Sequence, residues 1–231
     1  MESPTNRDRI VRAAAALLTE GGREAVSTRA VSTAASVQAP TIYRIFGDKQ
    51  GLLDAVATYG FETYLSSKAA LEHSPDPVED LRRGWDLHVG FGVAQPAFYT
   101  LIYGEPRPGV ESPAARAAAV ILAAQVRRIA EAGRLRVTEE RAAHLIHAAG
   151  SGLTLALIAL PPERRDPALS TLARESIIAA VTTDTPAGAD RNGGPAGPAI
   201  ALRALLPRTE ALTEPERGLL AEWLDRIAAD G

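Results

Sequence analysis

The sequence contains no cysteine. That absence excludes a disulfide scaffold, a cysteine-ligated zinc or iron–sulfur centre and a thiol nucleophile. Long hydrophobic runs are missing too: the longest, LTLALIAL at 153–160, falls well short of the roughly 20 residues that span a bilayer. The first residues, MESPTNRDRI, lack a basic start followed by an apolar stretch, so no secretory signal is expected. There is no GxSxG, no HExxH and no phosphate loop. The GSG at 150–152 falls inside an apolar helical pattern, the wrong context for a phosphate. These absences point to a soluble, cytoplasmic protein without membrane association, cofactor or enzymatic activity.

What is there suits a globular chain. Its 231 residues, 46% hydrophobic and 23% charged, are enough to bury a core in one or two domains. The net charge of −3 is unevenly spread: residues 1–50 carry seven Lys/Arg against five Asp/Glu, the remainder 18 against 23. A basic N-terminal segment in an acidic chain suggests where a polyanion would bind.

Helical periodicity runs through almost every segment, and no strand pattern or internal repeat stands out. From Asn6, the positions Ile10, Ala13, Ala14, Leu17 and Leu18 form one buried stripe, which EGG at 20–22 ends. Ser27 is a good N-cap for a short helix to about Ala35. A second short helix is expected over 39–45, with Pro40 in its first turn, where the missing N–H costs nothing. Asp48 caps a fourth helix running to about Glu72 through Leu52, Leu53, Val56 and Tyr59. Longer helices are expected over 77–91, 95–103, 113–132, 138–160 and 166–182. The segment 184–198, DTPAGADRNGGPAGP, with three prolines and four glycines, reads as a linker without regular structure. A final amphipathic helix carries Leu219, Leu220, Trp223, Leu224 and Ile227. The fold class is therefore all-α, divided into a head (1–48), a larger helical domain (49–183), the linker (184–198) and a C-terminal helical extension (199–231).

Two short helices joined by a tight turn, the second rich in hydroxyl and basic residues, describe a helix-turn-helix. A helix about 10–12 Å across fits the B-DNA major groove. Thr28 and Arg29, in the first turn of the first short helix, would lie near a backbone phosphate. Gln38, Ala39, Pro40 and Thr41 are compact enough for close approach, Tyr43 and Arg44 long enough to bond phosphates, and Lys49 would clamp the far side. Ile42 and Phe46 point the other way and are expected in the core.

Residues 7–56 resemble the DNA-binding domain of the tetracycline-repressor (TetR) family. The matching features are RDRIVRAAAALLTEGG, VSTRAVSTAASV, PTIYRIFGDK and GLLDAV, in register over consecutive elements; Thr41, Ile42, Tyr43, Phe46 and Lys49 fit the signature. The resemblance implies a homodimer with two heads on successive major grooves of double-stranded operator DNA, and a helical C-terminal domain that binds a small effector. It also implies that Thr28, Arg29, Gln38, Ala39, Pro40, Thr41, Tyr43, Arg44 and Lys49 contact DNA. Three positions depart from the family pattern: Ser36 where a turn glycine is usual, Gln38 in place of a Ser/Thr cap, and Ile45 where histidine or tyrosine is common.

In the larger domain, AAGSGLTLALIAL is apolar nearly all round, which implies burial on several sides. Paired with ALSTLARESIIAAV, it makes an antiparallel helix pair suited to a four-helix interface with a second copy. Trp85, His88, Phe91, Phe98, Tyr99, Tyr103, Gln125, His144 and His147 are the candidates to line an apolar effector cavity. His144 and His147 also have a spacing compatible with two metal ligands, but no third accompanies them and no metal is expected. The reading is a homodimeric repressor released by a small, largely apolar effector. Its rivals are a helical enzyme using the same cavity, which would need a clustered acid–base set, and a helical interaction module indifferent to DNA.

Overall fold

The computed structural model describes residues 5–69, 73–105, 109–184 and 194–229. They form eleven α-helices: α1 Asn6–Ala25, α2 Thr28–Ala35, α3 Ala39–Phe46, α4 Lys49–Ala69, α5 Pro77–Ala94, α6 Pro96–Tyr103, α7 Pro113–Glu131, α8 Glu139–Ala159, α9 Pro167–Val181, α10 Ala196–Leu205 and α11 Glu214–Ala229. No strand occurs among the described residues; one isolated antiparallel bridge joins Leu135 to Thr182. The chain divides into two compact units, interleaved in sequence: residues 1–70, 90–118 and 154–160, and residues 71–89, 119–153 and 161–231.

In the first unit, α1 opens on a capping box. Thr5 Oγ1 accepts from the Asp8 N–H at 3.2 Å, and Asp8 Oδ2 accepts from the Thr5 N–H at 3.1 Å, which satisfies donors the helix leaves bare. Regular α1 geometry breaks at Gly21 and Gly22, where the sequence pattern ends it; Gly22 has φ 66°. One further turn follows, to Ala25, and brings Val26 into the interior. Ser27 caps α2 through the Ala30 N–H at 3.2 Å, and Asp48 caps the start of α4 through the Gly51 N–H at 2.7 Å.

The interior of this head is Ile10, Val11, Ala14, Ala15, Leu18, Val26, Val31, Ala35, Ile42, Leu52, Leu53 and Val56, joined by Phe98 from α6. Each large apolar side chain so buried contributes about 1.5–3 kcal/mol before chain entropy is counted. Tyr59, expected on the buried stripe of α4, is 42% exposed instead. Phe61 and Tyr64 are the aromatic residues that α4 buries, one helical turn further on. The expected end of α4 at Glu72 lies outside the described residues.

The second unit has an apolar interior that includes Leu81, Val126, Ile129, Leu135, Ile178 and Val181, and charged side chains cross-link it further. Asp80, 4% exposed, accepts from the Ser74 N–H at 2.8 Å and from the guanidinium groups of Arg83 and Arg128. Burial alone would raise its carboxyl; the Ser74 N–H and the two arginines outweigh this and hold it below the usual carboxylate range. Arg82 donates to both oxygens of Glu175 at 3.1 Å, and Arg174 donates to Asp86 at 2.6 Å. The extension joins this unit: Arg127 of α7 donates to the Ala204 carbonyl at 3.1 Å, and Arg208 donates to Glu131 at 2.8 Å.

Two expectations are corrected here. The end of the supposed linker, residues 196–198, is the first turn of α10; Pro198 is tolerated there because N–H groups of a first turn have no helical acceptor. The remainder, 185–193, lies outside the described residues. The apolar run of α8, expected to be covered on several sides, is covered on one side of the protomer. Ala142, Ile146, Gly150, Thr154 and Leu157 are buried, whereas His144, Leu145, His147, Ala148, Gly152 and Ala156 are exposed. By length and composition alone α8 is long and apolar enough to cross a membrane, and 28% of its most apolar 18-residue window is buried.

Candidate nucleic-acid interface

The α2–turn–α3 unit sits on the apolar face formed by Val31, Ala35 and Ile42. Because α3 turns only Ile42 fully inward, the rest of its eight residues are at least partly accessible. All nine residues expected at DNA lie at the surface of the head: Arg29, Gln38, Pro40, Tyr43, Arg44 and Lys49 are exposed, and Thr28, Ala39 and Thr41 are partly so. The hydroxyls of Thr28 and Tyr43 are 3.4 Å apart, so the start of α2 and the outer side of α3 present one polar edge.

The electrostatics of this face favour an anion. None of the nine is acidic, and Arg29, Arg44 and Lys49 are in no ion pair among the described residues. Asp48, the adjacent acid, is occupied by the Gly51 N–H. Gln38 forms no side-chain cap on α3, so its amide is available to an outside partner. Phe46, expected in the core, is half-buried, and the Arg7 guanidinium lies 5.7 Å from its ring centroid. Lys49 is placed by a tight turn: Gly47 has φ 82°, and a Cβ at Gly51 would fall 2.1 Å from the Phe46 carbonyl oxygen. Ser36, where a glycine is usual, adopts the left-handed conformation, φ 52° and ψ 49°. Arg9, which the sequence pattern does not single out, reaches across from α1 to this turn and donates to the Ala35 and Ser36 carbonyls.

The nine candidate effector residues divide between the two units. Phe91, Phe98, Tyr99 and Tyr103 belong to the first, where α4, α5 and α6 build an aromatic cluster. Phe91 lies 5.0 Å from both Phe61 and Tyr64, and Tyr99 lies 4.8 Å from Tyr103. Burial pushes the Tyr64 and Tyr103 hydroxyls far above the usual tyrosine range. Phe61 and Tyr64 were not anticipated; the signal available was their i, i+3 spacing on α4. Phe98 is corrected: it fills the head interior, and a Cβ at Gly60 of α4 would fall 2.1 Å from its ring.

Trp85, His88, Gln125, His144 and His147 belong to the second unit. A methyl group at Gly150 would stand 3.6 Å from both Trp85 and His88, so these two flank α8; the Trp85 indole N–H donates to Ser170 Oγ at 3.1 Å. Gln125 is 8% exposed, and its Oε1 has no hydrogen-bond partner among the described residues. His144 and His147 are exposed on α8 and do not line the protomer interior, because the turn that buries Ala142 and Ile146 points them outward. Among the described residues no group of three His, Asp or Glu side chains forms a metal site.

Residues 10–56 match the family model of bacterial regulatory proteins of the tetR family. No curated protein matches the chain. Three solved structures share its fold. One is a putative tetR family transcription regulator from Shewanella sp. PV-4, with TM-score 0.62 and 20% identity over 78% of this chain and 100% of that one. Another is a single-substitution variant of TetR from Acinetobacter baumannii AYE in complex with minocycline, with TM-score 0.58 and 19% identity over 74% and 93% of the two chains. The third is NalD, the secondary repressor of the MexAB-OprM multidrug efflux pump in Pseudomonas aeruginosa, with TM-score 0.55 and 19% identity over 78% and 98%. The N-terminal helix-turn-helix thus matches the family model of bacterial regulatory proteins of the tetR family, and the chain as a whole shares the fold of the three structures named above.

Proposed function

We propose that the chain is a homodimeric repressor that binds a two-fold symmetric operator through α3 and is released by a small, largely apolar effector. The observation that carries this is the α2–α3 face. Around α3 it gathers Arg29, Arg44 and Lys49, which are in no ion pair among the described residues, the Thr28 and Tyr43 hydroxyls 3.4 Å apart, and the uncapped amide of Gln38. The dimer is assigned to α8 and α9, whose exposed sides carry Leu145, Leu169 and Leu172 at 40%, 38% and 67% exposure beside Ala148 and Gly152. Apolar side chains left in water by one protomer suit a self-complementary interface.

The effector reading rests on the aromatic cluster of α4, α5 and α6. α4 carries Lys49 at one end and Phe61 and Tyr64 further along, and α6 is keyed into α4 where Phe98 meets Gly60. A ligand that displaces Tyr99 or Tyr103 on α6 therefore moves α4 and the head with it. Such a ligand must favour a head spacing other than the roughly 34–36 Å between successive major grooves. The repressor named NalD and the minocycline complex named above are relatives in fold that support both parts of this reading.

The test is Arg44→Ala. Fragments of genomic DNA retained by the wild-type protein supply the duplex, and fluorescence anisotropy is followed across a salt series. The variant should bind more weakly, with a log–log salt slope reduced by about one. Binding equal to wild type at every salt concentration would remove Arg44 from the interface.

A further inference from the structure

The angle between α2 and α3 depends on a turn built around an unfavourable residue. α2 ends in a Schellman arrangement: the Val37 N–H donates to the Ser32 carbonyl at 3.0 Å and the Ser36 N–H to the Thr33 carbonyl at 3.2 Å. This closure requires a left-handed residue at Ser36, the only non-glycine residue with positive φ among the described residues. A Cβ is disfavoured in that conformation. The closure also leaves the Ala35 and Ser36 carbonyls without helical partners.

Both carbonyls are taken by one side chain from another helix. Arg9 Nη2 donates to the Ala35 carbonyl at 2.6 Å and to the Ser36 carbonyl at 3.2 Å, while Nη1 donates to Asn6 Oδ1 at 3.3 Å. No carboxylate pairs with Arg9 among the described residues, so the guanidinium is committed to the turn. A cation at the carbonyl end of α2 also meets the negative end of the helix dipole. Asn6 and Ile10, on either side of Arg9 in α1, are respectively at its guanidinium and fully buried, which fixes the point from which the side chain reaches.

We propose that Arg9 is a positioning residue for operator recognition: it holds the left-handed turn at Ser36 and thereby sets α3 against α1, doing with a side chain what a turn glycine does with its backbone. This rests on the reading of α3 as the recognition helix. Arg9 touches no base in this role. Its effect on binding passes entirely through the turn.

Arg9 is also exposed, and a phosphate anchor is the competing role; salt dependence and rescue separate the two. In the full chain, Arg9→Gln should weaken binding to the retained duplex by about tenfold, the size of a lost charge-assisted hydrogen bond, with the salt slope unchanged. Arg9→Lys, which keeps the charge but not the fork, should lose affinity as well. Adding Ser36→Gly to Arg9→Gln should restore most of the loss, because glycine holds the left-handed turn unaided, while Ser36→Gly alone should change little. Hydrogen exchange at the Val37 amide reads the turn without DNA: it should quicken in Arg9→Gln and return toward wild type in the double variant. A salt slope lowered by about one, full activity of Arg9→Lys, or no rescue by Ser36→Gly in either readout would overturn the proposal. A wild-type protein that retains no duplex would sink the recognition reading itself, while the exchange arm would still report on the turn.

Discussion

In the α1–α4 head the interior is apolar from Ile10 to Val56, and polar side chains work at helix ends: Thr5, Ser27, Asp48 and, from outside, Arg9. The second unit also has an apolar interior, but its helices are tied in addition by charged side chains far apart in sequence, 48 residues for Arg128 and Asp80 and 93 for Arg82 and Glu175. Water-excluding contacts hold the head at any ordinary pH and salt concentration. Charge pairs make the second unit answer to both. The head, which carries the α2–α3 face, thus depends less on solution conditions than the second unit does.

The sharpest way to break this contrast is at Phe98. Phe98→Ala removes a ring from the head interior and leaves a cavity beside Gly60, with an expected loss of about 3–5 kcal/mol, read as a shifted urea midpoint. A loss below about 1 kcal/mol would mean that α6 is not part of the head interior.

The matching substitution in the second unit is Asp80→Asn. It leaves Arg83 and Arg128 facing a neutral amide. Both arginines are about one-third exposed, so solvent relieves part of the penalty and the expected loss is about 2 kcal/mol. The loss should grow smaller at high salt, unlike that of Phe98→Ala.

Acid sharpens the comparison further. The Asp80 carboxyl is held below its ordinary value in the folded protein, so the unfolded chain binds its proton more tightly. The stability it contributes is complete above the ordinary carboxylate range and is lost as pH falls through the lowered folded value. Glu175, lowered by its hydrogen bonds from Arg82, acts in the same direction. Hydrogen exchange followed through the acid range should therefore quicken in α5, α7 and α9 before α1 and α4; the reverse order would refute the contrast.

The smallest expected effect is at Gln125. Replacing it with Met removes an unsatisfied buried oxygen at similar volume and gives up only the 3.4 Å bond from Nε2 to the Asp80 carbonyl, so the protein should melt at a slightly higher temperature, by the equivalent of about 1 kcal/mol or less. A drop in stability would show that the amide oxygen is already satisfied.

How legible each region was follows from the same difference. Ser27, Pro40, Asp48 and the Gly21–Gly22 break act within a few residues of themselves, so the order of α1 to α4 and the starts of α2, α3 and α4 could be read along the chain. The all-α class and the surface placement of Thr28, Gln38, Tyr43 and Arg44 followed from that register. Periodicity says which residues share a helix face but not what the face meets, so Phe98 was expected at a ligand and His144 and His147 in a cavity. Arg9 meets the Ala35 carbonyl 26 residues away and Asp80 meets Arg128 48 residues away, pairings for which no local pattern exists. The first turn of α10 was hidden by its proline and glycines, which read as a break until the position of Pro198 within the helix is known.

The fit of Phe98 against Gly60 bears on how the chain can be dissected. The stretch recognisable by its pattern, residues 10–56, does not contain the ring that completes its own interior. Excised at that boundary it would lack a stopper that is supplied about forty residues downstream, so an autonomous head must be cut from the gene with α6 still attached.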